Sequence, residues 1–267
     1  MVQFYSATKS HTLINSVKVP IQARYITNME KVIPDSNFRE CIFNYYKRAF
    51  EIKIKSDLTD NDLKRIKGTA KYPVDCSKKN IKDVTGIEKM LNLVAINLGD
   101  NSIKSLDVSK NTKLEYLHIN NNELTKIDVS KNLKLKELNV NKNKLTSINI
   151  NSNLNLKILD VGINELSDIN VKNNKKLEKL KVGLNSLKRI DVTSNTKLID
   201  LDIGYNKITS LDLSKNKNLK VLNAINNGLP TLDITKNTKL KELTILKGNP
   251  ISKSNIKVGN NKNIEIS

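Results

Sequence analysis

Tryptophan is absent from this chain, and histidine and cysteine occur only twice each. Phe and Tyr supply 4% of 267 residues, so the core must be filled by aliphatic side chains. The two histidines, His11 and His118, do not share a segment with a cysteine, and there is no P-loop, no GxGxxG and no metal-ligand spacing. The common catalytic constellations are thereby excluded. The chain reads as non-enzymatic, with no cofactor. Cys41 and Cys76 are too few for a disulfide framework. Each reads as a small buried hydrophobe, and the sequence leaves their pairing open. No stretch approaches the ~20 apolar residues of a membrane span. Met1 to Ser16 lacks the apolar core of about 7–15 residues that a secretory signal carries, so the chain as written reads as cytoplasmic. Acidic residues are also scarce, 27 against 46 basic ones, giving a net charge of +19. Lys, Asn and Ile share AT-rich codons, which accounts for part of this excess. The sharper reading is a basic surface that meets an anionic partner.

What the chain has instead is repetition. Starting at Leu93 and stepping by 21 gives Leu114, Leu135, Leu156, Leu177, Leu198, Leu219 and Leu240. Asparagine recurs in the same step at Asn101, Asn122, Asn143, Asn164, Asn185, Asn206 and Asn227, and again at Asn111, Asn132, Asn153, Asn174, Asn195, Asn216 and Asn237. A fixed period of this size marks a solenoid, in which each coil covers the apolar side of the next. Within one repeat, Leu117-x-Ile119 and Ile127-x-Val129 alternate with period two, as short strands do. Two strands and two corners use up the repeat and leave no room for an ordinary helix. Corner backbone turns away from water and loses its sheet partners, so it needs others. An inward Asn offers both a donor and an acceptor, and stacked asparagines can bond the corners of their own and adjacent coils.

The halves L-x-x-L-x-L-x-x-N-x and L-x-x-[LI]-[DN]-[VLI]-x-x-N-x-x are ten and eleven residues long, and residues 57–251 resemble the bacterial leucine-rich repeats with a nested ten-plus-eleven repeat. The resemblance implies a curved β-rich solenoid of about eight coils, a parallel sheet on its concave face, and binding rather than catalysis. It also implies a secreted or surface-displayed protein.

The flanks fit that frame. Asp35 is a good helix N-cap, and Phe38, Cys41, Ile42, Tyr45, Tyr46, Ala49 and Phe50 form one apolar helical face. IPDSNFRECI resembles the opening of many such domains, where a short helix covers the first coil. The text FEIKIKSDLTDNDLK lacks the turn Gly and terminal Glu of a calcium loop. It reads as a helix capped by Thr59 with Asp62 closing a capping box, Leu58 stapled on Leu63, and an end near Gly68. NIKDVTGI resembles the entry of internalin-like proteins. The division is an N-terminal segment with its capping helix (1–56), a degenerate first coil and cap (57–92), seven regular leucine-rich repeats (93–239) and an irregular last repeat (240–267). Ser16 to Ile21 reads as a weak edge strand. Ile256–Val258 and Ile264–Ile266 read as two last strands, whose open edge suits end-to-end self-association unless Lys253, Lys257 and Lys262 guard it.

The outward columns locate a ligand. The mid-strand column runs Asn97, His118, Asn139, Asp160, Lys181, Asp202, Asn223, Thr244 and is mixed in sign. The column before each first-ladder Asn runs Asp100, Asn121, Lys142, Ile163, Leu184, Tyr205, Asn226. Ile163, Leu184 and Tyr205 follow Gly162, Gly183 and Gly204, and at a strand spacing of ~4.8 Å they make one apolar strip. Ile158 and Ile225 flank it, and Asp160, Lys181, Asp200 and Asp202 make its polar rim. The alternative is that these side chains fold over the rim and are half-buried. Asp107, Asp128, Asn149, Asn170, Asp191, Asp212 and Asp233 read as turn stabilisers. Lys113, Lys134, Lys176, Lys197 and Lys239 form a basic edge. The reading is a scaffold that binds a protein partner, host or self, on its concave face, as an adhesin or virulence factor does. The alternative is a binder of an anionic polymer through the basic edge, an acidic glycan before nucleic acid, since no aromatics are interleaved for base stacking.

Overall fold

The structure is a computed structural model that describes residues 29–50, 58–260 and 264–267. The expected strand at Ser16 to Ile21, together with His11, Asp57 and Lys262, lies outside these residues. The first half-repeats become three-residue strands: β2 (Ala95–Asn97), β3 (Tyr116–His118), β4 (Glu137–Asn139), β5 (Ile158–Asp160), β6 (Lys179–Lys181), β7 (Asp200–Asp202), β8 (Val221–Asn223) and β10 (Glu242–Thr244). β1 (Val74–Asp75) precedes them and β12 (Glu265–Ile266) follows, closing a ten-stranded sheet in which every pair is parallel. The register reproduces the sequence period: Ala95 lies against Tyr116, and Ile158 against Lys179. From β3 to β7 the middle residue of each strand is buried, as Leu117, Leu138, Leu159, Leu180 and Leu201 show, while its neighbours are more exposed; in β2 Ala95 is buried as well.

The second half-repeats differ from expectation. Among the described residues, strands form there only at β9 (Leu232–Asp233) and β11 (Ile256–Lys257), which pair with each other, with one isolated bridge between Asp107 and Asp128. Backbone amides just after these positions are taken up by local turns. Ser109 N donates to Asp107 Oδ1 (2.8 Å), Asn111 N to Val108 O (2.9 Å) and Leu114 N to Asn111 O (3.0 Å). Asp107, Asp128, Asp191, Asp212 and Asp233 all accept the amide two residues on; these amides lower the carboxyls of Asp107, Asp128 and Asp212, while at Asp191 and Asp233 the Thr193 and Thr235 hydroxyls lead and the amides add to them.

Both ladders bond coil to coil. Asn153 Nδ2 donates to Val129 O and Asn132 O of the preceding coil, each at 3.0 Å. Asn164 Nδ2 donates to Val140 O (3.0 Å) in the coil before and to Val161 O (3.0 Å) in its own, while its Oδ1 accepts from Leu145 N (2.9 Å). In the drifting last repeat Gly248 takes the ladder phase at φ +71°, and Asn249 takes over the bonds one residue late, to Ala224 O (2.9 Å) and Ile245 O (2.7 Å).

Two helices close the first coil. In α1 (Ser36–Phe50) the side chains of Phe38, Cys41, Ile42 and Tyr46 are buried, whereas Ala49 stays exposed. Asp35 caps it through Phe38 N (2.9 Å) and also accepts Lys82 N (2.9 Å) and Asp83 N (3.2 Å), tying the helix to the coil beneath. In α2 (Asp60–Arg65) Thr59 and Asp62 form the expected capping box. Tyr46 Oη donates to the Asp62 carboxylate, and Arg65 Nη1 donates to Tyr46 Oη (2.9 Å). The two cysteines are not separate hydrophobes: Cys41 and Cys76 are disulfide-bonded. The inward face of α1 sets Cys41 above the end of β1, with the two Cα atoms 5.6 Å apart. No helix of the described residues is long and apolar enough to cross a membrane.

Candidate functional site

The site grows from one backbone feature. Asp100, Asn121, Lys142, Ile163, Leu184, Tyr205 and Asn226 all have positive φ, between 50° and 57°. This left-handed turn lets two successive amides bond to the following coil, where an extended chain would alternate. Ile163 N donates to Gly183 O (2.9 Å) and Asn164 N to Leu184 O (3.2 Å). Asn and Asp tolerate this conformation because a short polar side chain bonds locally, whereas a β-branched or bulky residue is strained there. Asp100, Asn121 and Asn226 fit the backbone. Ile163, Leu184 and Tyr205 do not.

Their side chains are partly exposed, at 42%, 48% and 45%, so each offers close to half of its surface to solvent. Together with Gly162, Gly183 and Gly204 they line a groove of about 210 Å³. The glycines keep its floor open: a Cβ on Gly162 would lie 2.8 Å from Asn141 Nδ2, and one on Gly183 would lie 3.2 Å from Gly204 O. Asp160, Lys181 and Asp202 line it as well, with Asn141 and Asn223 at its two ends. Ile158 and Asp200 stand two residues earlier on β5 and β7 and are not among the lining residues. Ile225, half-buried, lies beside Gly204.

The rim carboxylates are also turn makers. Asp160 Oδ1 accepts from Gly162 N (3.1 Å) and Asn141 Nδ2 (3.0 Å). Asp202 Oδ1 accepts from Gly204 N and Asn223 Nδ2, both at 3.0 Å. Burial pushes the Asp202 carboxyl up, against the Gly204 amide and Lys181, with Asp200 and Asp160 adding to the rise. On the same face His118 Nε2 lies 2.9 Å from Glu137 Oε1, a contact between neighbouring strands that holds the Glu137 carboxyl down. Among the described residues no group of three His, Cys, Asp or Glu could hold a metal ion.

Sequence reasoning placed the strip and most of its rim but missed Asn141, Asn223 and the left-handed backbone. The signal was present, since Asp100, Asn121 and Asn226 in the same column are residues that favour positive φ. Lys113, Lys134, Lys176, Lys197 and Lys239 are all exposed at the join between coils. Lys176 and Lys239 each donate to an Asn of the coil before, Asn155 and Asn218, at 2.7 Å, and Lys113 donates to Asn92.

Known proteins share this architecture. Internalin J of Listeria monocytogenes serotype 4b (strain F2365) is 35% identical over 97 residues, which is 36% of this chain and 10% of that protein. A solved structure of the functional domain of InlJ from Listeria monocytogenes, described as including a cysteine ladder, is 33% identical with a TM-score of 0.74. The match covers 84% of this chain and 53% of that one. Internalin C2 of the same organism shares the fold at 23% identity and a TM-score of 0.63, over 90% of this chain and 95% of its own. No protein-family model matches the chain. The chain thus spans about half the InlJ structure and a tenth of Internalin J. Where the InlJ domain is described by a cysteine ladder, this chain stacks asparagines and has two cysteines, bonded to each other.

Proposed function

We propose that this chain, an internalin-like leucine-rich repeat protein of bacterial type, is a non-enzymatic scaffold that binds a protein partner in the groove over β5 to β7. One observation carries the reading: three consecutive coils place Ile163, Leu184 and Tyr205 in a left-handed turn that none of them favours, with their side chains partly exposed. Strained backbone and exposed apolar surface both cost stability, and their coincidence is the mark of a site kept for binding. The partner it suits presents an apolar segment flanked by polar groups of both signs, matched to the strip and to Asp160, Lys181 and Asp202. The Cys41–Cys76 disulfide supports an oxidising compartment, and with it export from the cytoplasm, over the cytoplasmic reading of the first residues.

The test immobilises the wild type and Ile163→Ser/Leu184→Ser/Tyr205→Ser beside each other, after both show folded thermal transitions, and passes self and host-cell lysates over them at high salt. A salt-resistant partner captured by the wild type and lost by the triple variant is the expected result. Equal capture by both would sink the groove as the site.

A further inference from the structure

The lysine edge is not uniform, and the irregularity points to a second site. Two columns run side by side there. One reads Lys113, Lys134, Asn155, Lys176, Lys197, Asn218, Lys239, and the other Glu115, Lys136, Lys157, Glu178, Ile199, Lys220, Lys241. Over the early coils the second column is compensated, although Lys113, Lys134 and Lys176 of the first column make no salt bridge among the described residues. Lys136 Nζ lies 2.7 Å from Glu115 Oε2, and Lys157 Nζ lies 3.2 Å from Glu178 Oε1. From Ile199 onward the second column supplies no acid. Among the described residues no salt bridge involves Lys197, Lys220, Lys239 or Lys241.

The same place holds a groove of about 310 Å³, lined by Glu178, Lys197, Ile199, Asn218, Lys220 and Lys239. Its one carboxylate already has Lys157 as counter-ion. Asn218 Oδ1 accepts a hydrogen bond from the Lys239 ammonium (2.7 Å) and steadies it, while Asn218 Nδ2 donates to Thr196 O (3.2 Å). Lys197 and Lys239 stand two coils apart, ~10 Å at strand spacing, with Lys220 in the coil between.

We propose that this groove is a binding site for an acidic polysaccharide, whose carboxylate or sulfate groups meet Lys197, Lys220 and Lys239 in succession. Three positive groups carried by three successive coils along one groove match a linear polymer with repeated negative groups. The lining holds no aromatic ring, so the stacking that secures single-stranded nucleic acid is missing. The site is separate from the concave groove and stands whether or not that groove binds a protein.

With a net charge of +19, any polyanion will adhere to some degree, so the test compares equal charge removals at two places. Lys197→Gln/Lys220→Gln/Lys239→Gln is set against Lys113→Gln/Lys134→Gln/Lys136→Gln in the full chain. Binding to dextran sulfate, polygalacturonate and neutral dextran is measured at about 50 and 200 mM salt, where phosphate-like contacts weaken steeply. The first triple is expected to lose tenfold or more, on the order of one good ionic contact, and the second about twofold. Neutral dextran binds none of the proteins. Equal losses from both triples, or no loss from either, would overturn the site. Preference for a single-stranded oligonucleotide over both acidic polysaccharides would overturn the ligand class. Lys220→Glu alone, an exposed substitution that leaves the fold intact, is expected to cost more binding than Lys134→Glu.

Discussion

Two regions of the molecule share one backbone and differ in what they place on it. At the left-handed corner the outer coils carry Asp100, Asn121, Lys142 and Asn226, and the middle coils carry Ile163, Leu184 and Tyr205, all within a few degrees of the same φ. Local chemistry explains most of the outer set. Asn121 Nδ2, for example, donates to Asp100 Oδ1 at 2.6 Å, so the turn residues of adjacent coils also hold each other. The middle set has no such account, because branched and aromatic side chains are poor residents of this region and gain little cover there. The difference teaches that the corner conformation is imposed by the ladder behind it. The ladder is strong enough to hold unfavourable side chains where they can be reached.

If the ladder imposes the turn, removing it should hurt both regions alike. Asn185→Ala leaves Val161 O, Val182 O and Leu166 N without their side-chain partners, and Asn122→Ala does the same to Leu98 O and Ile103 N. Each is expected to lower unfolding free energy by about 2–4 kcal/mol in urea titration. A much smaller loss at Asn185 would mean that the middle coils are held by something else. The next effect is smaller and of the same sign: Asn121→Ile puts a middle-coil residue on an outer coil and is expected to destabilise by about 1 kcal/mol. Gly183→Ala is expected to cost less than about 1 kcal/mol in stability yet to weaken partner capture, since the new methyl meets the Asp202 carboxylate at 3.1 Å and closes the floor.

The smallest effect concerns Asp202. Burial raises its carboxyl above the ordinary 3.8 in the folded chain. Its contribution to stability is therefore greatest below the unfolded value and declines as pH rises through the folded one. Asp202→Asn should raise the thermal midpoint slightly at about pH 7 and leave it unchanged at about pH 3. Asp35 is the opposite case. Burial acts to raise its carboxyl, but the amides of Lys82, Phe38, Asp83 and Asn37 outweigh it and hold it low, so the stability it lends the cap is lost as pH falls through its folded value.

The solenoid was legible because a period of 21 leaves few ways to bury Leu117 and its counterparts, and the inward ladders had one sensible role. The capping box at Thr59 and Asp62 was legible from spacing alone. The strip of Ile163, Leu184 and Tyr205 was visible as an exception within a polar column. What escaped had non-local causes. Most of the second half-repeats form no strand, and the local turns after Asp107 and its counterparts are not recorded by period-two alternation. The Cys41–Cys76 bond depends on where α1 docks, and no spacing announces that. Positive φ follows from bonding to the next coil, which one repeat read alone does not contain.

The most direct test of an imposed, binding-competent corner is the stability of Ile163→Asn/Leu184→Asn/Tyr205→Asn. Replacing three misfits with residues that suit a left-handed turn should raise unfolding free energy by about 1–2 kcal/mol, while partner capture is lost. A variant that is less stable than the wild type would contradict the account, because Ile163, Leu184 and Tyr205 would then be structural residues of the rim.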